Sequence, residues 1–162
     1  MFKRNWKLLS AGLLVACAIG GFALKSAWAT PSRDYSGVPV ARPVVVEELQ
    51  MIAANQTHAI VLKTRGEWET RVVNLRIGPG GYTGWHSHPG PAFVMVTKGT
   101  LTVLQADDLD IPVEYHAGEG FVEQIDNVHI ASNTGDVAVE LTAFLLIPKG
   151  APPSVDEADP RD

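Results

Sequence analysis

Apolar and polar residues alternate in short runs over most of the chain, with the period of two that turns one face of a strand toward a core. The clearest runs are 59–63 (AIVLK), 68–77 (WETRVVNLRI) and 137–147, whose stretch VELTAFLLI is apolar enough for a central strand. In the second, Val73, Leu75 and Ile77 fall on one side. Residues 93–97, 100–104, 111–115, 120–124 and 128–132 continue the series, separated by the turn-forming stretches PGG, DDLD, HAGEG, SNTGD and PKGAPP. Lys98-Gly99 reads as the tight turn of a hairpin joining 93–97 to 100–104. Helical spacing is confined to 47–54, where Leu49, Ile52 and Ala53 share a face. Eight or nine short strands with almost no helix predict an all-β sandwich or small barrel.

The ends of the chain break this pattern. Residues 1–29 carry Lys3, Arg4 and Lys7, then an apolar run over 8–24, then Ala27-Trp28-Ala29, the three-part grammar of a secretory signal peptide cleaved after Ala29. Two other readings stay open: a lipoprotein signal acylated at Cys17, and an uncleaved anchor, for which 8–24 lies at the short end. Each places the domain outside the cytoplasm, periplasmic or secreted. Residues 30–57 form an arm, either a disordered leader or a segment pairing with another subunit, followed by the short helix. Residues 58–148 form the β-barrel, and 149–162 an extended, solvated, acidic tail.

Removing the leader changes the chemistry available. Cys17 is the single cysteine, so the remaining domain has neither a disulfide nor a thiol nucleophile. Without Lys3, Arg4, Lys7 and Lys25 the 13 basic residues fall to nine, against 18 acidic ones. A chain this acidic, with no basic cluster, argues against nucleic acid and against anionic membrane surfaces as partners.

The remaining candidate chemistry is in the five histidines. In a strand, residues i and i+2 point the same way, so His86 and His88 of GWHSHPG would face a common ion. His129, in NVHIASN, starts a later strand. Here the sequence resembles the cupin superfamily, whose first motif is a glycine, five residues, H-x-H, three or four residues, a glutamate, six residues and a glycine. Gly80, His86, His88 and Gly99 fall on that spacing, with Ala92 in the place of the glutamate. Gly118, His129 and Asn133 fit the second motif, while Gln124 replaces its proline and Asp126 its second glycine.

The resemblance implies a double-stranded β-helix of jelly-roll type, with a site near one mouth, and His86, His88 and His129 as ligands of a divalent metal. Iron or manganese is the first expectation, with nickel, copper or zinc as others, and a metal-free barrel with packed histidines as the alternative. Ala92 cannot ligate. The site is then a bare three-histidine face, or Glu123 supplies the carboxylate from the neighbouring strand, or affinity is lost. Trp85, Phe93, Phe121 and Gln124 are expected to line the pocket, with Met95 as a further wall and Tyr82 as a polar contact. His58 and His116 are read as surface residues.

Other catalytic apparatus is missing: no G-x-S-x-G, phosphate loop or dinucleotide fingerprint occurs. Two functions follow. One is a small metal-dependent oxidoreductase of dioxygenase type, taking a small substrate that chelates through adjacent oxygens. The other is a non-catalytic binding module for a small molecule or metal ion. Cupins commonly pair across their sheet edges, so a homodimer using the N-terminal arm is also expected.

Overall fold

A computed structural model describes residues 29–162, so the expected signal peptide, Ala29 apart, lies outside the described residues. Every regular element among them is a strand. They are β1 (Arg33–Pro39), β2 (Val44–Val46), β3 (Gln50–Ala54), β4 (Ala59–Lys63), β5 (Trp68–Tyr82), β6 (His86–Ser87) and β7 (Ala92–Lys98). The series continues with β8 (Thr100–Gln105), β9 (Asp108–His116), β10 (Gly120–Glu123), β11 (His129–Ser132), β12 (Val139–Pro148) and β13 (Val155–Asp156). All pairings between these strands are antiparallel.

Two halves face each other. One runs β10–β7–β12–β5, with β1 and β2 on the outer edge of β5; the other runs β9–β8–β11–β6–β13. They join where Tyr82 of β5 pairs with Ser132 of β11, and together they make the nearly closed barrel of a double-stranded β-helix. Alternation decides what fills it. In β7, Ala92, Val94 and Val96 point in while Phe93 and Met95 point out, and in β12 Val139, Leu141, Ala143 and Leu145 point in. With Leu101, Val103, Ile77 and Ala131 these residues form one core. Removing each from water contributes on the order of 1.5–3 kcal/mol for the larger side chains, enough to fix which face of each strand turns inward.

Four expectations are corrected. The stretch 47–54 is not a helix: β3 pairs with β4 as a separate hairpin. An eight-residue helix would have to offset a costly nucleus with a narrow apolar stripe. The hairpin instead has its turn built by Asn55, whose Oδ1 accepts from the backbone N–H groups of Thr57 and His58, and a β-branched partner strand four residues on. The arm, in turn, finds its partner in its own chain, β1 and β2 both lying along β5.

Lys98-Gly99 is not a hairpin turn, because β7 pairs with β10 and β12 whereas β8 pairs with β9 and β11. Gly99 is a corner at which the chain crosses from one half of the barrel to the other. Its φ of +75° favours glycine, and a Cβ there would press on the Ala138 carbonyl at 3.1 Å and on Val139 at 3.2 Å. Finally, the acidic stretch after Pro148 is not wholly solvated, since β13 pairs with β6.

Candidate metal centre

β6 and β11 are adjacent strands, and their register sets His129 opposite His86. Ser87 turns away between the two histidines of its motif, so His86 and His88 face inward together. The ring centroids of His86 lie 4.3 Å from His129 and 4.9 Å from His88, and those of His88 and His129 are 5.3 Å apart. One nitrogen from each ring lies within 4.8 Å of the others, a cluster that could hold a metal ion. His88 and His129 are buried and His86 is half-buried.

Each ring is oriented through its Nδ1. His86 donates to the Gly84 carbonyl at 3.0 Å, His88 to the Pro153 carbonyl at 2.7 Å and His129 to the Asn127 carbonyl at 3.0 Å. A carbonyl only accepts, so Nδ1 carries the proton and Nε2 is left as the donor atom for a metal, the arrangement that holds ligating imidazoles in one tautomer. Gly84 reaches this position with a φ of +80° and Thr30 packed against it, where a Cβ would meet the Thr30 carbonyl at 2.2 Å.

Glu123 completes the cage. It ends β10 with its side chain on the same inner face as Ala92, its cross-strand partner. Its two carboxylate oxygens lie 3.0 Å from Nε2 of His88 and 3.0 Å from Nε2 of His129. Both nitrogens are fully buried and neither makes an aligned hydrogen bond. Lone pairs on two imidazoles facing a carboxylate at that distance repel unless a cation lies between them, whether protons on the rings or a metal ion. A separation of 3.0 Å suits either: it is the length of an imidazolium N–H···O bond, and it leaves His88, His129 and Glu123 close enough to share one ion.

The electrostatics follow from this crowding. Burial, and then the charge of His129, push the His86 imidazole down to about 4, so it is neutral and free to ligate near pH 7. Burial would lower His88 too, but the Glu123 carboxylate beside it wins and raises it. Burial would raise Glu123; the close imidazoles of His129 and His88 outweigh that and hold its carboxyl down to about 2.

The cage opens on a cavity of about 390 Å³, bounded by His86, His88 and Glu123 on one side and otherwise by apolar side chains such as Val94, Leu101, Leu141 and Leu145. Of the residues expected around it, Phe121 lines it. Phe93 does not: it stands one residue from Ala92, hence on the outer face, 48% exposed and 6.0 Å from the ring of Phe144. Met95 is outside for the same reason. Gln124 lies exposed just past the inward-facing Glu123, and Trp85 is buried behind the cage with the Arg161 guanidinium 6.0 Å from its ring. Tyr82 is half-buried in β5, outside the cavity lining. His58 and His116 are exposed, bonded to Thr57 and Thr100 respectively.

Tyr35, Thr83 and Arg71 line the cavity without having been singled out in the sequence. Tyr35 and Arg71 enter from β1 and β5; the signal for Tyr35 is its register opposite the core residue Ile77. Arg71 is held by the buried Glu69 and by the carbonyl of Ala151.

The substitutions in the second motif also find their place. Asp126 takes the left-handed φ of +57° where the motif has glycine, a conformation aspartate tolerates better than most residues, and its N–H donates to the His88 carbonyl. Asn133, 2% exposed, donates to the carbonyls of Ile77 and Val137 and accepts from Gly135, tying β11 to β5 and to the start of β12.

The fold and site together define a small β-helical barrel with a three-histidine cluster inside one mouth. Residues 73–147 match the Cupin domain family, a span that takes in most of the barrel strands. Among solved structures it is similar to the polyketide cyclase RemF from Streptomyces resistomycificus, 12% identical, with a TM-score of 0.55 over 82% of this chain and 79% of that one. It is also similar to an uncharacterized conserved protein with a double-stranded β-helix domain from Klebsiella pneumoniae, 20% identical, with a TM-score of 0.46 over 68% and 84%. A third is a predicted oxalate decarboxylase from Thermotoga maritima, 19% identical, with a TM-score of 0.42 over 51% and 83%. At these identities the likeness is one of fold. The comparison with curated protein sequences gave no match.

Proposed function

We propose that this chain is an exported, metal-dependent oxidoreductase of dioxygenase type, acting on a small, largely apolar substrate that offers adjacent oxygen donors. His86, His88, His129 and Glu123 would hold a divalent ion, with iron or manganese first and nickel, copper or zinc as the other fits to an imidazole and carboxylate set. The observation that carries this reading is the cage itself: two buried, unpaired Nε2 atoms facing one carboxylate, a group of acceptors that needs a cation.

Bound there, such an ion supplies Lewis acidity and, for a redox-active metal, a route to dioxygen chemistry. The chain's own residues do the rest. The carbonyls of Gly84, Pro153 and Asn127 keep the three rings in register. The apolar walls exclude water and favour an uncharged body, since Arg71 is the one cationic side chain in the lining and is matched by Glu69. Tyr35 presents a phenol on the same cavity.

A non-catalytic binding module is the second reading. It is favoured by how few proton-transferring groups reach the cavity: beyond the cage itself, Tyr35 is the one such side chain in the lining. Metal content after chelator-free purification, with oxygen uptake on catechols, flavonols and β-diketones, tests both readings. We expect one metal per chain in the wild type and loss of it in His86→Ala and His129→Ala. Equal, sub-stoichiometric metal in all three would sink the metal reading; full metal without oxygen uptake favours the binder. Chelation should also lower Tm by on the order of 10 °C for a metal held at about 100 times its Kd. Export is tested by the N-terminus of protein recovered outside the cytoplasm, expected at Thr30.

A further inference from the structure

The H-x-H motif rests on little sheet of its own. β6 has two residues, and one of its edges is taken by His129 of β11. Its other edge is taken by residues 153–161, which meet every residue from Trp85 to His88 in turn. The N–H of Glu157 donates to the Trp85 carbonyl at 2.9 Å. Asp156 pairs with His86 and Val155 with Ser87. The Ser87 hydroxyl donates to Oε1 of Glu157 at 2.8 Å. The Pro153 carbonyl accepts the Nδ1 proton of His88 at 2.7 Å. Beyond the motif, Thr30 donates to the Glu157 carbonyl at 3.2 Å and Arg161 lies over Trp85, so the segment is also anchored at its middle and at its far end.

We propose that residues 153–161 are a positioning strap for the metal centre: the Pro153 carbonyl sets the tautomer and aim of His88, and the Ser87–Glu157 hydrogen bond is the clasp that holds the strap in register. The proposal rests on the metal role given above to His86 and His88. A two-residue strand has too few ladder bonds to fix two imidazoles by itself, and the histidine's outer partner is the group that orients it. Pro152-Pro153 suits the task, since both residues have φ fixed by their rings and the carbonyl is held in place at little entropic cost. Pro153 and Ser154 also line the cavity, so the strap forms part of the wall a ligand meets. Tyr35, on β1, faces the same opening.

The test compares the wild type with Ser87→Ala, Glu157→Ala, Glu157→Gln and a chain ending at Ala151. The first readout is the ¹⁵N shifts of the His88 ring in metal-free protein, which report its tautomer whether or not the site takes a metal. The second is affinity for Co²⁺ measured against a competing chelator. His88 should be the Nδ1–H tautomer in the wild type and a mixture in the shortened chain, with Co²⁺ bound about 10- to 100-fold more weakly. Ser87→Ala and Glu157→Ala should move both readouts the same way by smaller amounts. Glu157→Gln, which keeps an Oε1 acceptor, should restore them.

Unchanged His88 shifts and Co²⁺ affinity in Glu157→Ala and Ser87→Ala overturn the proposal, including where the shortened chain fails to fold. A wild type that binds no Co²⁺, yet whose His88 tautomer shifts in the variants as expected, would defeat the metal reading and leave the strap standing.

Discussion

Glu123 and Ala92 are direct cross-strand partners, opposite each other on one rung of the β10–β7 ladder with both side chains buried on the inner face. Partner Cβ atoms in an antiparallel pair lie roughly 4.5–5.5 Å apart, within the reach of a glutamate side chain. A carboxylate missing from β7 can therefore be supplied from β10 without moving any strand. Glu123→Ala should weaken metal binding by at least about 10-fold. Adding Ala92→Glu to it should restore much of the loss, while Ala92→Glu alone sets two carboxylates side by side in a buried wall and should lower Tm. Chelator competition and thermal melts measure these effects; a double variant that binds no better than Glu123→Ala would show that the two rungs are not interchangeable.

The cavity can be filled without touching the cage. Ala143, 4% exposed, lines it from β12. Ala143→Phe should leave metal content unchanged and abolish binding of an apolar chelator such as a β-diketone, at a packing cost within about 1–3 kcal/mol. In the wild type the neutral diketone should bind at least about 10-fold more tightly than oxalate, because the lining offers a dianion no unmatched side-chain cation. Calorimetry on metal-loaded protein decides both points, and preferential oxalate binding would overturn the substrate class.

Burial, and then the charge of Glu123, raise the phenol of Tyr35 above its ordinary value. A raised folded-state value means a stabilising contribution present in full below the unfolded tyrosine value near pH 10 and lost as pH rises through the higher folded one. Tyr35 keeps 38% of its surface exposed, so the effect on stability is small and best seen by spectroscopy. Ultraviolet titration should show one phenol ionising late and vanish from that position in Tyr35→Phe, and Glu123→Gln should bring it down. A Tyr35→Phe difference spectrum centred at the ordinary tyrosine value would contradict this.

Asn133→Ala should cost on the order of 3 kcal/mol, since it strands the carbonyls of Ile77 and Val137 and the N–H of Gly135 in or near the core. Urea denaturation of metal-free protein measures it, and a loss below about 0.5 kcal/mol would mean that water replaces the side chain there.

Much of this was legible in the chain. Alternation located β5 and β7 to β12, though not β1, β2 or β13, because a period of two with one buried face is imposed by the core itself, and His86, His88 and His129 are close in space because β6 and β11 are neighbours. Partner choice was not legible: nothing local to Lys98-Gly99 distinguishes a hairpin turn from a corner between sheets. The inward aim of Glu123 depended on a register with Ala92 that lies thirty-one positions away, and the arm around Tyr35 shows no periodicity because β1 pairs with β5 along its edge with every one of its residues exposed, so no buried face imposes one. The misplaced Phe93 has a simpler cause. Aromatic character suggested a wall, whereas parity with Ala92 sends it outside.

β5 sits at the centre of the molecule, flanked on one side by β1 and β2 and on the other by β12, with residues 68–77 matched to 139–148. Apart from the β3–β4 hairpin, the early strands cannot complete their sheet until β12, ending at residue 148, is present, so the longest ladder in the barrel joins segments more than sixty positions apart in sequence. Topologies of that kind fold in milliseconds to seconds rather than microseconds. A newly made chain thus stays open and threadable during synthesis, which is the state that the proposed export requires.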